Sequence, residues 1–143
     1  MTSNKANLEL KQIFDELSKT PNYNLIYSED GNTLIKAFAQ NLHSISNLTI
    51  PNYTFNIGER AFFENKNLCS IVLPEGLKTI DKYAFYNCSN LSSINIPESV
   101  ISIREMAFYR CVNLNFINIP EGTHIGENAF YLSGIDLNKA KTL

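Results

Sequence analysis

Between residues 57 and 130 the chain writes one pattern of about 23 residues over and over, and no other feature limits its fold so strongly. Three full copies read IGERAFFENKNLCSIVLPEGLKT, IDKYAFYNCSNLSSINIPESVIS and IREMAFYRCVNLNFINIPEGTH. The third is one residue shorter, and a fourth opens as IGENAFYLSGIDLN. In alignment, Ile57, Ile80, Ile103 and Ile125 share a column, followed by Ala61, Ala84, Ala107 and Ala129 and then by Phe62, Phe85, Phe108 and Phe130. Leu68, Leu91 and Leu114 come next, then Ile71, Ile94 and Ile117, then Leu73, Ile96 and Ile119, and each copy closes on Pro74, Pro97 or Pro120. A fixed period in the twenties predicts a solenoid, in which each repeat buries its apolar side only against its neighbours.

Within a copy, L-x-x-I-x-I-P alternates apolar and other residues, which predicts a short strand with Leu and Ile pointing inward. Stacked copies then form a short parallel β-sheet on one face, with strands about 4.8 Å apart. Proline ends each strand because it lacks the amide a continuing ladder needs. The i, i+4, i+5 spacing of Ile-x-x-x-Ala-Phe predicts short helical turns, or strands, on the opposite wall. Stacking also places Asp81 one repeat from Arg104, and Lys82 one repeat from Glu59 and from Glu105, as opposite-charge neighbours.

Upstream, residues 4–19 read as an amphipathic helix: Ala6, Leu10, Ile13, Phe14 and Leu17 lie on one stripe, and charged residues of both signs take the other side. Such a helix could bind a partner or a membrane surface, but its mixed charge favours a lid over the end of the solenoid core. Two strand-like runs, 23–27 and 33–38, flank Asp30-Gly31 and predict a β-hairpin. A degenerate repeat follows. Its Ile45, Leu48, Ile50 and Pro51 precede Leu68, Ile71, Leu73 and Pro74 by 23 residues, and Ala37-Phe38 reads as a shifted echo of the Ala-Phe pair. The expected organisation is a capping helix and hairpin over 1–38, repeats over 39–137 and a tail over 138–143, all one domain.

L-x-x-I-x-I-P, a turn, and then I-x-x-x-A-F-Y-x-C resemble the BspA-type leucine-rich repeats over roughly residues 35–137. The resemblance implies a leucine-rich-repeat solenoid, strand-rich within the α/β class. It also implies binding roles directed at surfaces or hosts, such as adhesion to matrix proteins or contact with other cells.

Several function classes drop out on composition. Twelve basic residues against 14 acidic ones, without a basic run, give nucleic acid nothing to hold. No apolar stretch approaches the length of a membrane span. Three cysteines do not suggest a disulfide framework, and no secretory signal stands out in MTSNKANLELKQIF. The expectation is a cytoplasmic protein or one exported by a non-standard route. His43 and His124 have no catalytic partner at a suitable spacing, and the six glycines form no phosphate loop, so no enzyme and no cofactor are expected.

The outward strand positions are the principal candidates for binding: Ser70, Val72, Ser92, Ser93, Asn95, Asn115, Phe116 and Asn118, continued by Ser46, Asn47 and Thr49 of the degenerate repeat. Small amides and hydroxyls there could read another protein, or a glycan, with Phe116 as an anchor; they would equally suit a plain solvated face. Tyr86, Tyr109 and Tyr131, in column with Phe63, form a secondary stripe that either contacts a partner or stacks upon itself. Glu75, Glu98 and Glu121 should stack as carboxylates, yet the turns offer a hard cation too few further oxygens. Cys88 and Cys111 share a column and read as buried small hydrophobes rather than as metal ligands. Four Asn-x-Ser/Thr matches, beginning at Asn47, Asn52, Asn87 and Asn90, carry little weight in a chain rich in these residues. Finally, the short fourth copy leaves an open C-terminal end through which the protein could self-associate.

Overall fold

A computed structural model describes residues 23–39 and 46–137. The predicted helix over 4–19, residues Ile45 and His43, and the tail 138–143 lie outside the described residues. The hairpin forms as expected: β1 (Tyr23–Tyr27) pairs antiparallel with β2 (Thr33–Ala39). Gly31 supplies the positive φ of the turn, at 78°. Asp30 braces it, accepting from the Ser28 hydroxyl at 2.6 Å and from the Asn32 amide at 3.0 Å. Those two bonds, the Ser28 one foremost, hold the Asp30 carboxyl below its ordinary pKa.

The repeats wind into a strand-rich solenoid of about four turns. Their L-x-x-I-x-I segments supply β3 (Ser46–Thr49), β5 (Leu68–Val72) and β7 (Ser93–Ile94), a parallel sheet of three strands. Leu48 faces Ile71 and Ile71 faces Ile94, the register that the period predicts. At the start of β3 a register shift pairs Ser46 with Leu68. The expected fourth strand does not extend this sheet: residues 114–120 carry no strand.

A second sheet, the longer of the two, lies opposite, where the start of each Ile-x-x-x-Ala-Phe segment supplies the strands expected there as the alternative to helical turns. β4 (Asn56–Ile57), β6 (Thr79–Ile80), β8 (Ser102–Ile103) and β9 (His124–Ile125) stack in parallel, and β2 of the hairpin is their first rung. Leu34 thereby occupies the place that Ile57, Ile80 and Ile103 hold in later coils. Tyr27 ties the hairpin to the first coil, its hydroxyl 2.8 Å from that of fully buried Thr54. Burial raises the Tyr27 pKa. The Ala37-Phe38 echo is not structural. Ala37 is buried, and its amide reaches the Ala61 carbonyl at 3.0 Å, the bond Phe62 makes to Ala84, whereas Phe38 stands 48% exposed.

The other alternative for this wall, helical turns, does not form: each of these short strands is followed by a run of reverse turns. Within a coil, Ala84 donates to Asp81, Tyr86 to Tyr83 and Cys88 to Phe85. The intervening amides of Tyr83, Phe85 and Asn87 donate to Glu105, Ala107 and Tyr109 of the next coil at 3.1, 2.7 and 2.7 Å. A helix would consume every amide internally. Here half of them are needed by the neighbour, so the backbone turns over at every second residue. Two residues per coil adopt the left-handed conformation to do so: Arg60 and Glu64, Tyr83 and Asn87, Met106 and Arg110, Asn128 and Leu132, with φ between 53° and 60°. None is glycine; apart from the asparagines Asn87 and Asn128, which tolerate this conformation, each carries a backbone penalty of about 1–2 kcal/mol that the inter-coil bonds must outweigh.

The core is the set of columns read from the sequence. Phe62, Phe85, Phe108 and Phe130 stack face to face with centroids 4.9, 5.0 and 5.1 Å apart, and the three earlier rings are 0–1% exposed. Cys88 and Cys111 fill the gap beside them, each thiol donating to a carbonyl of the preceding coil, Phe62 or Phe85, at 3.0 Å. Of the expected charge pairs, Arg104 meets Asp81 at 3.3 Å. Among the described residues Lys82 pairs with neither Glu59 nor Glu105; the Lys82 amide instead donates to the Asp81 carboxylate, at 2.7 Å.

Candidate functional site

The outward positions of β5 and β7 and of the unpaired segment 114–118 lie where strand alternation sends them, away from the Leu and Ile that fill the core. Ser70 is half-buried, and Val72, Ser92, Ser93, Asn95, Asn115, Phe116 and Asn118 are exposed. Successive coils place Ser70 beside Ser93, with Phe116 next in that column, while Val72, Asn95 and Asn118 form the neighbouring one. The two apolar protrusions are Val72, 53% exposed, and Phe116, 63% exposed. The ladder itself dwindles along the face, from four residue pairs between β3 and β5 to two between β5 and β7.

These side chains are not equally available. Asn95 is committed to the scaffold: its Nδ2 donates to the Leu73 carbonyl at 3.0 Å, and its Oδ1 accepts from the Leu73 amide at 2.8 Å. That pair of bonds replaces the strand ladder just where β5–β7 pairing stops, one residue after Ile71–Ile94. Ser70 donates to Asn47 Oδ1 at 2.6 Å, Ser92 to the Cys69 carbonyl at 3.3 Å, and Asn115 to the Asn113 carbonyl at 3.3 Å. Among the described residues the exposed hydroxyl of Ser93 and the ring of Phe116 make no such bond. Sequence periodicity places a residue on the face; it does not show which amides the backbone has already claimed.

The same holds for the asparagines around the next corner. Asn90 donates to the Lys66 carbonyl and Asn113 to the Ser89 carbonyl, both at 2.6 Å, a ladder that sequence reasoning missed. Its signal was present, since Asn67, Asn90 and Asn113 recur at the 23-residue period. The Asn90 amide, one of the glycosylation matches, is thus bound to backbone.

The tyrosine stripe forms. Phe63, Tyr86, Tyr109 and Tyr131 follow one another at 4.8, 4.9 and 5.8 Å, nearly parallel up to Tyr109 and tilted by 33° at Tyr131. The Arg60 guanidinium covers Phe63 and Tyr83 at 5.6 and 5.0 Å. Ring faces consumed by neighbouring rings leave only edges for a ligand, so Tyr86 and Tyr109 serve packing first; Tyr131, 56% exposed, ends the column.

Glu75, Glu98 and Glu121 are exposed on successive turns. Among the described residues no group of three or more His, Cys, Asp or Glu is placed to hold a metal ion. The three thiols are free. Burial pushes the Cys111 thiol up to about 12 and raises that of Cys88 well above its ordinary value. Concavities of about 530 and 430 Å³ lie at the C-terminal coil and beside the hairpin, neither on the strand face. No described helix is long and apolar enough to cross a membrane. The strand face carries two apolar protrusions, Val72 and Phe116, among small polar side chains.

The family model for the BspA type leucine rich repeat region matches residues 33–141 in six copies. The chain belongs to the BspA-type leucine-rich-repeat family. Solved structures agree. A leucine-rich repeat protein from Bacteroides capillosus is 28% identical with a TM-score of 0.68, over 82% of this chain and 93% of that one. One from Bacteroides ovatus is 26% identical with a TM-score of 0.65, over 79% of this chain and 32% of the other. The T. pallidum leucine-rich repeat protein, 22% identical with a TM-score of 0.65, matches in fold over 76% of this chain. The BspA-type chain described here spans 53% of the length of that T. pallidum protein. No curated protein sequence matches it. BspA-type repeats are a scaffold often used for protein binding, generally without catalysis.

Proposed function

We propose that this protein is a non-enzymatic binding module whose strand face contacts another protein, in a host- or matrix-directed role of the kind the family implies. The observation that carries the reading is the division of labour on that face. Asn95 is spent on the backbone of Leu73, while Ser93, Val72 and Phe116 project beside it without a structural task. An exposed aromatic ring and an exposed valine amid small polar groups are the usual anchors of a protein interface.

The test is capture from cell lysate and from extracellular matrix proteins by wild type and by a Ser93→Arg/Phe116→Ala variant, with bound species identified by mass spectrometry. Asn95 is left intact so that the variant keeps its fold. The expected outcome is one partner retained by wild type and lost by the variant at unchanged melting temperature. A partner that both proteins retain puts the binding surface elsewhere.

A further inference from the structure

We propose that the C-terminal edge of the last coil is a self-complementary surface that docks a second copy of this chain across a two-fold axis. In the three preceding coils the amides of Arg60, Phe62 and Glu64, of Tyr83, Phe85 and Asn87, and of Met106, Phe108 and Arg110 all donate to the following coil, at 2.7–3.1 Å. The amides in the same columns of the last coil are those of Asn128, Phe130 and Leu132, and among the described residues they have no acceptor. The second sheet ends with the opposite polarity. The carbonyls of Ile57, Ile80 and Ile103 accept from the next coil at 2.9, 2.9 and 2.7 Å, and that of Ile101 accepts from His124 at 2.9 Å. The corresponding carbonyls of Ile125 and Thr123 have no donor among the described residues.

Read along the chain, this edge presents acceptors at 123 and 125 and donors at 128, 130 and 132. A second copy of the run, reversed against the first, sets Leu132 opposite Thr123 and Phe130 opposite Ile125, and each copy donates where the other accepts. An unpaired edge of this kind is a template for another chain, and a two-fold contact closes at two copies. Apolar side chains border the polar match: the partly buried Ile135 and Leu137 pack against the core that holds Phe130 and line the concavity of about 530 Å³ at this end. Leu132 and Tyr131 stand 48% and 56% exposed at its rim. Head-to-tail addition meets an obstacle at the other end, where the hairpin already takes the middle acceptor of the turn column, Ala37 donating to the Ala61 carbonyl.

Sedimentation equilibrium of the full chain over rising concentration tests the proposal. The expected result is a reversible monomer–dimer equilibrium. In a Tyr131→Lys/Leu132→Lys variant, which places like charges at the contact, it should weaken at least about tenfold. Both positions are exposed, so an unchanged melting temperature of the dilute variant shows that its fold is intact. Ser93→Arg/Phe116→Ala should dimerise like wild type, which separates this surface from the strand face. A monomer up to about millimolar concentration, association untouched by the lysines, or growth beyond two copies would each overturn the proposal. So would a monomer that dimerises only after residues 138–143 are deleted, since the edge would then belong to the protein's own tail.

Discussion

The turn segments and the strand face solve the same problem, stacking one coil on the next, in different ways. Along the turns every coil repeats the same internal backbone bonds, the Phe rings stay 4.9–5.1 Å apart, and two left-handed residues recur per coil without a glycine. Along the strand face the ladder shrinks from β3–β5 to β5–β7 and then stops, and a side chain, Asn95, takes over from the backbone. The coil is therefore held chiefly by its turn side. The strand side carries less of that load, which fits the proposal that it is the face that meets a partner.

The sharpest way to break this comparison is to remove a ring from the turn side. Phe85→Ala deletes the middle of the stack between Phe62 and Phe108 and should lower stability by about 3–5 kcal/mol, read as a shifted denaturant midpoint. A variant that melts like wild type would show that the strand side holds the coils together.

The buried thiols give a second expectation. Cys111 titrates at about 12 in the fold against 9.0 for the ordinary thiol, so the folded state keeps a proton that the unfolded chain releases first. Their contribution is fully present below pH 9 and is lost as pH climbs from 9 towards 12. Denaturation at alkaline pH should show stability falling across that window, and Cys88→Ala/Cys111→Ala should flatten the decline.

On the strand side the expected effects are smaller and unequal. Asn95→Ala strands the amide and carbonyl of Leu73 and should cost about 1–3 kcal/mol, whereas Ser93→Ala, two residues away, should stay within about 0.5 kcal/mol. Equal effects in thermal melts would show that Asn95 is no more structural than its neighbour, and would restore it to the binding surface.

How much of this was legible can be followed residue by residue. The Phe, Ala, Ile and Leu columns and the Arg104–Asp81 pair were readable because a period translates directly into contacts between equivalent positions, and the hairpin because Asp30-Gly31 suits a positive-φ turn between two strand-like runs. Ala37-Phe38 misled, since a similar dipeptide in a hairpin strand alternates faces while in the turn run it does not. Tyr83, Met106 and Arg110 gave no sign of their left-handed backbones, because the bonds that stabilise them come from the next coil.

By itself, then, the sequence determined that the chain is a solenoid and which side chains fill it, since burial requires only that apolar residues recur at the spacing of one coil. Only the tertiary structure decided where the longer sheet runs, that reverse turns replace helix opposite the strand face, and which asparagines on the surface are free. Those depend on hydrogen-bond partners one coil away, and a donor at Asn95 or Phe130 takes its meaning from whether a neighbour stands there to accept.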